Sequence, residues 1–227
     1  MENPKWESKH VLGALDIRGI LALAGVVGPF VLIVADLAAA FSEPGYNFIR
    51  DSISSLALTS MGWIQTIGFL AIGLLVEIFA AGLFLNIRGR RGFGLSIGLI
   101  SSFGFGLLLI GAFRMDPVGG LRTTEGTIHG VAAAAVFWLF PIAISLLSLS
   151  LRNDPHWKGM FPYTVVASVL ASAFVIGHLF LSAQLSWFGL YERLLVANAV
   201  IWVEVAAVRL LLLSLGRQRE AKNTDHI

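Results

Sequence analysis

Six long runs of apolar residues dominate the pattern of the chain, and short polar segments separate them. The runs cover residues 17–41, 62–87, 92–113, 128–151, 163–184 and 189–214. Each is close to the length of about 20 residues with which an apolar helix crosses a bilayer. None of the runs alternates polar and apolar residues, as the strands of a membrane barrel do. The pattern therefore predicts an all-α fold, a bundle of six transmembrane helices.

The composition supports a polytopic membrane protein. Of the 227 residues, 56% are hydrophobic and only 13% are charged, whereas about 25% of the residues of a soluble domain are charged. This balance excludes a soluble enzyme, a disordered chain and a nucleic-acid-binding chain. The sequence contains no cysteine, which excludes disulfides, thiolate zinc sites and cysteine nucleophiles.

The distribution of Lys and Arg predicts how the bundle is oriented. Only four of the 16 basic residues lie at the ends of the spans that face away from the termini, namely Arg50, Arg114, Arg122 and Arg193. Because loops rich in Lys and Arg stay in the cytoplasm, we expect both termini to be cytoplasmic and the protein to lie in the cell membrane. The predicted parts are a cytoplasmic segment (1–16), the membrane domain (17–214) and a cytoplasmic tail (215–227).

Three segments at the predicted outer end carry most of its polar residues. They are residues 46–54 (Tyr-Asn-Phe-Ile-Arg-Asp-Ser-Ile-Ser), residues 113–116 (Phe-Arg-Met-Asp) with His129-Gly130 after them, and residues 189–193 (Gly-Leu-Tyr-Glu-Arg). Ionised groups near lipid need partners, so we expect one shared polar cluster. Its candidate ligand-binding residues are Arg50, Asp51, Arg114, Glu192 and Arg193. The alternative is that these side chains form ion pairs that only fix the loops together.

The order and spacing of these segments resemble a family of bacterial and archaeal integral membrane proteins, catalogued as domain of unknown function 998. The resemblance extends over nearly the whole chain, from about residue 17 to residue 214. It implies a multi-helix membrane fold in a prokaryotic membrane. It implies no activity, because the family has none assigned.

Four residues are candidates for catalysis at the predicted outer end: Asp116, His129, His178 and Ser54. One carboxylate and two imidazoles are a ligand set that suits zinc, so Asp116, His129 and His178 are also candidate metal ligands. No His-x-x-x-His pair is present to fix two ligands on one helical turn. The alternatives are that His178 is a neutral packed residue and that Asp116 ends the third helix before Pro117.

Three further carboxyl groups lie within the spans, at Asp36, Glu77 and Glu204. An ionised acid at the centre of a bilayer costs about 2.5–3.5 kcal/mol on insertion scales. Such residues are functional candidates by default, and here they suggest proton coupling. The alternative is a neutral acid that hydrogen-bonds to a neighbouring helix.

The sequence favours an outward-facing polar pocket that binds a small or lipid-like ligand, and it leaves open whether a membrane-embedded hydrolase acts on that ligand. One alternative is a proton-coupled small carrier. Another is a structural or regulatory membrane subunit without catalysis. The expected partners are membrane lipids and a small-molecule or lipid-like ligand, and no nucleic acid.

Overall fold

The computed structural model describes residues 16–89, 92–181 and 185–224. Six helices make up most of it: α1 (Ile17–Phe41), α2 (Gly62–Asn86), α3 (Phe93–Ala112), α4 (Thr124–Leu151), α5 (Phe161–His178) and α6 (Phe188–Thr224). Each is long and apolar enough to cross a membrane, and the described ranges contain no strand. The predicted all-α bundle of six transmembrane helices is confirmed.

Two helices begin or end away from the limits of the apolar runs. Helix α4 begins at Thr124, before the predicted residue 128, because the Thr123 hydroxyl accepts a hydrogen bond from the Gly126 N–H (3.0 Å) and caps the helix. Helix α6 continues to Thr224, beyond residue 214. Its last turns contain Arg, Gln, Glu, Lys and Ala, which are mostly polar but are all good helix formers. The hydropathy pattern therefore underestimates the length of both helices.

The fifth span is shorter than its apolar run. Helix α5 covers Phe161–His178, whereas the pattern predicts residues 163–184. Residues 182–184, like the predicted cytoplasmic segment up to residue 15, lie outside the described residues.

The helices pack in chain order around a ring, and α6 closes the ring against α1. Small residues permit the close crossings. A Cβ built at Gly73 of α2 would lie 2.8 Å from the Leu108 backbone nitrogen of α3, and one at Gly25 of α1 would lie 2.6 Å from the Ala207 Cβ of α6. Glycine at such crossings lets transmembrane backbones approach each other.

Hydrogen bonds tie together the end of the bundle where the described chain begins and ends. Asp16, before α1, accepts from the Ser214 hydroxyl of α6. In the α4–α5 connection, Asp154 accepts from the backbone N–H groups of Arg88 (2.8 Å) and His156 (2.9 Å). Residues 42–61, residues 113–123 and the described parts of the α5–α6 connection (179–181 and 185–187) lie at the opposite end, which is the predicted outer end.

The predicted orientation can be tested with single cysteines, because the chain has none of its own. Val118 in the α3–α4 connection is 75% exposed, and a Cβ at Gly159 in the α4–α5 connection would touch nothing within 4 Å. In intact cells, a membrane-impermeant thiol reagent should label Val118→Cys and should leave Gly159→Cys unlabelled until the cells are opened. The reverse result would contradict the cytoplasmic placement of the termini.

Candidate functional site

The side chain of Arg193, in the second turn of α6, is the centre of the polar cluster at the predicted outer end. It is only 9% exposed. Its Nη1 donates to the backbone carbonyls of Phe48 (3.0 Å), Asp51 (3.1 Å) and Gly189 (3.2 Å). The guanidinium therefore joins the α1–α2 connection to α6 over a sequence separation of more than 140 residues.

The other side of the Arg193 guanidinium faces α1. Nη2 donates to Asp36 Oδ1 (3.2 Å) and to the Tyr46 hydroxyl (2.5 Å). The guanidinium also lies over the Phe48 ring, 3.7 Å from its centroid, in cation–π geometry. Five hydrogen bonds from its two terminal nitrogens and two ring contacts, with Phe48 and Tyr46, hold this cation, so it positions the loop. Its buried Nε has no hydrogen-bond partner within the described residues.

Tyr46 completes the inner surface of the α1–α2 connection. Its hydroxyl donates to the Ser52 carbonyl (2.9 Å) while it accepts from Arg193. Burial raises the pKa of Tyr46 to about 12, so the hydroxyl keeps its proton at neutral pH and remains a donor. The sequence motif includes Tyr46, but its role depends on Arg193, which is distant in sequence.

Local hydrogen bonds shape residues 47–51 of the same connection. Asn47 Oδ1 accepts from the N–H groups of Ile49 and Arg50, each at 3.0 Å. Asp51 accepts from the Asn47 N–H (2.7 Å) and forms an exposed ion pair with Arg50 (2.7 Å). The hydrogen bond from Arg50 holds the pKa of the Asp51 carboxyl below its usual value. Arg50 and Asp51, two of the predicted ligand-binding residues, therefore stabilise a turn of the loop.

The first turn of α6 pairs with this loop through the backbone. The N–H groups of Gly189 and Leu190 donate to the carbonyls of Arg50 (3.1 Å) and Ile49 (2.8 Å). A Cβ at Gly189 would overlap the Asp51 carbonyl oxygen. Only glycine allows this approach at position 189.

Glu192 holds a second segment of the α1–α2 connection. This segment, Ile53–Leu58, forms a 3₁₀ helix whose residues Ile53, Leu56 and Ala57 are buried, and we call it the cap segment. The buried Glu192 carboxylate accepts from the Ile53 N–H at 2.7 Å. This side-chain oxygen therefore satisfies an orphan donor at the start of the cap segment.

A cavity of about 70 Å³ lies beneath the cap segment. Apolar side chains from all six helices line it, and among the described residues Glu192 and Ser54 are its only polar lining. Since one water molecule needs about 10–15 Å³ of such space, the cavity has room for roughly five waters or a short stretch of hydrocarbon. Ser54, one of the candidate catalytic residues, thus lines this apolar cavity together with Glu192.

Gln65 of α2 is a polar residue that the sequence pattern did not single out. It is 0% exposed, and neither atom of its amide has a hydrogen-bond partner within the described part of the chain. Its spacing places it on the same helical face as the cavity-lining residues Phe69, Ile72 and Val76. A buried amide of this kind calls for a water or a ligand. The sequence feature that could have identified Gln65 is its position as a polar residue inside the apolar run 62–87.

Asp116 and His129 have local structural roles in the α3–α4 connection. Asp116 accepts from the Thr123 hydroxyl (2.7 Å) and N–H (3.0 Å), and the hydrogen bond from the hydroxyl lowers the pKa of Asp116. The buried His129 ring donates from Nδ1 to the Phe113 carbonyl (2.8 Å), since a carbonyl can only accept. Arg114 is exposed beside them.

His178, the last residue of α5, lies among aromatic rings. Ring centroids of Phe137, Phe188 and Tyr191 lie 5.2, 5.6 and 6.4 Å from the His178 centroid. Its buried Nδ1 has no partner among the residues described. His178 is thus packed among aromatic rings, but within the described ranges its Nδ1 lacks the hydrogen bond to a neighbouring helix that a packed, neutral histidine would be expected to make.

The predicted zinc site does not form. Across residues 16–89, 92–181 and 185–224, no group of three or more His, Asp or Glu side chains is placed to hold a metal ion. Asp116 and His129 bond to the α3–α4 connection, whereas His178 packs against aromatic rings. The three expected ligands therefore do not form one site.

The three carboxyl groups within the spans lie at separate places. Asp36 pairs with Arg193. Glu77 of α2 accepts from the Ser101 hydroxyl of α3, as expected for an acid that links two helices. Glu204 lines a groove between α1 and α6. The structure thus shows no shared proton-coupling cluster of these three residues.

Comparison with known proteins gives one match. The family model described as "Protein of unknown function (DUF998)" matches residues 26–209, which is most of the chain. No curated protein and no solved structure matches the chain.

The multiple hydrogen bonds of Arg193 predict that lysine cannot replace it. Lysine keeps the charge but has one nitrogen, so several buried carbonyls lose their donor, and each unsatisfied group costs about 1–3 kcal/mol. We expect Arg193→Lys to lower the free energy of unfolding by at least about 2 kcal/mol, measured by SDS titration with Trp fluorescence. The exposed Arg114→Lys is the control. Equal stability of the two variants would show that the hydrogen bonds of Arg193 contribute little.

The close approach at Gly189 makes a second prediction. Gly189→Ala should separate α6 from the loop and lower the melting temperature. Gly130→Ala, in α4 with nothing within 4 Å of the added carbon, should leave it unchanged or raise it, because alanine favours helix by about 1 kcal/mol. A melting temperature of Gly189→Ala equal to that of the parent protein would contradict the close contact between Gly189 and the Asp51 carbonyl.

Proposed function

We propose that this chain, which belongs to the DUF998 family of proteins of unknown function, binds an amphipathic, lipid-like ligand at the predicted outer end of the bundle. The observation that supports this most directly is the cavity, which is apolar along its walls and carries Glu192 and Ser54 at the cap segment. Such a chamber fits a short stretch of hydrocarbon beside a small polar group.

The apolar walls supply the affinity in this proposal. A chamber lined by aliphatic and aromatic side chains stays dry when empty and accepts hydrocarbon. Each methylene that leaves water and enters it gains about 0.8 kcal/mol. A single acyl or isoprenoid chain is therefore the expected apolar part of the ligand.

The polar end sets the chemistry of the ligand's head. One oxygen of Glu192 accepts from the Ile53 N–H, which leaves the other oxygen and the Ser54 hydroxyl to contact a ligand. A carboxylate only accepts hydrogen bonds, whereas a hydroxyl both donates and accepts. The expected polar group is thus a small donor such as a hydroxyl, amide or amine.

Arg193 has an indirect role in this proposal. Its hydrogen bonds hold the loop and α1 in place, and Glu192, the preceding residue, holds the cap segment. Arg193 is therefore a positioning residue for the site. The cavity faces outward from the cell membrane if the charge distribution sets the orientation as predicted.

The proposal is limited to binding. Hydrolysis by Ser54 would need a base within hydrogen-bond reach. The structure gives Asp116 and His129 partners of their own in Thr123 and Phe113.

A photoreactive monoacylglycerol with a diazirine near the end of its chain tests this proposal. In liposomes the probe should label residues that line the cavity. Ala133 lines it, so Ala133→Phe should fill the space and reduce labelling about tenfold, a loss of about 1.4 kcal/mol in binding. The neighbouring Ala134 is exposed on the outside of α4, and Ala134→Phe should label like the parent protein. Equal labelling of both variants, or no labelling of the cavity, would reject the proposal.

A further inference from the structure

The cap segment closes the cavity toward the aqueous side. Leu56 is fully buried and Ile53 nearly so, and the Glu192 carboxylate fixes the first N–H of this segment. Next to it, Arg193 binds residues 46–51 to α6. A ligand that came from water would have to break these buried polar contacts.

On the side of the bundle between α1 and α6, a groove open to the surrounding lipid approaches the cavity. This groove of about 320 Å³ has Asp36 and Arg193 among its lining residues and the exposed Ile33 and Ile201 on its sides. Five residues line both this groove and the cavity: Leu32, Ile53, Phe69, Val196 and Val200. A single layer of apolar side chains therefore separates the cavity from the surrounding lipid.

Helix α1 bends more easily at one point along this groove, between Gly25, which packs on α6, and Asp36, which Arg193 holds. Pro29 cannot donate to the Gly25 carbonyl, so the helix lacks one hydrogen bond there and bends more easily. On one side of Pro29, Gly25 packs tightly on Ala207 of α6. On the other side, Leu32 forms part of the thin wall. Above the proline, α1 and α6 therefore border the groove that leads to this thin wall.

We infer that the ligand reaches the cavity sideways from the bilayer, between α1 and α6, with its chain passing Leu32, Val196 and Val200. This inference rests on the proposed function and narrows it. The ligand is a single-chain lipid of the outer half of the membrane, not a solute from the aqueous phase. Its chain occupies the groove first, and its polar group then reaches Glu192 and Ser54 at the cap segment.

A second lipid-facing groove offers a matched comparison. It lies between α1 and α2, where Val34 and Ile67 are among its lining residues. Within the described residues it shares no lining residue with the cavity. A bridge across this groove should therefore not affect the route to the cavity.

The test bridges each groove reversibly in the cysteine-free chain. Ile33→Cys with Ile201→Cys spans the α1–α6 groove, and Val34→Cys with Ile67→Cys spans the α1–α2 groove. Each pair is joined with a bis-methanethiosulfonate reagent in liposomes and then exposed to the photoreactive monoacylglycerol. Labelling inside the cavity is quantified by mass spectrometry.

Bridging α1 to α6 should reduce cavity labelling about tenfold, equivalent to about 1.4 kcal/mol, and reductant should restore it. Bridging α1 to α2 should change nothing. Undiminished labelling after the α1–α6 bridge would overturn the lateral route while the binding proposal stands. Absence of cavity labelling in the unbridged protein would overturn both.

Discussion

The predicted outer end of this protein depends on one buried cation. Arg193 is nearly enclosed, and a charge in or beside the bilayer is costly unless it has partners. Its planar guanidinium holds its donors in a fixed fork, and the two terminal nitrogens reach three backbone carbonyls, one carboxylate and one phenol. The loop, α1 and α6 therefore become one unit.

The residue before Arg193 extends the same principle to the cavity. Adjacent positions on a helix point about 100° apart, so Glu192 and Arg193 serve different segments. Arg193 donates hydrogen bonds to backbone carbonyls of residues 46–51, and Glu192 accepts one from the first N–H of the cap segment. The cavity lies beneath residues 46–58, which the neighbouring side chains Glu192 and Arg193 hold by hydrogen bonds to the backbone. Loss of either side chain would leave buried backbone groups without partners.

Local bonds explain why the expected polar cluster forms only in part. Asp116 has Thr123 seven residues away, and His129 has the Phe113 carbonyl sixteen residues away. These short-range bonds complete the α3–α4 connection, so neither side chain is available to join His178 around a metal. Asp51 similarly pairs with its neighbour Arg50 and stabilises a turn. Of the predicted ligand-binding residues, only Glu192 both lines the cavity and bonds to the cap segment.

The sequence alone determined the number of spans and the helical class, because a bilayer requires about 20 apolar residues per crossing and internal hydrogen bonds throughout. It also identified the loop motif and α6 motif that meet at Arg193. Only the tertiary structure decided which side chains meet, because the order of helices around the ring is set by packing between distant segments. The Asp36–Arg193 pair spans 157 positions, and no local pattern encodes it. The same holds for the cavity, which exists only where all six helices and the cap segment surround the same space.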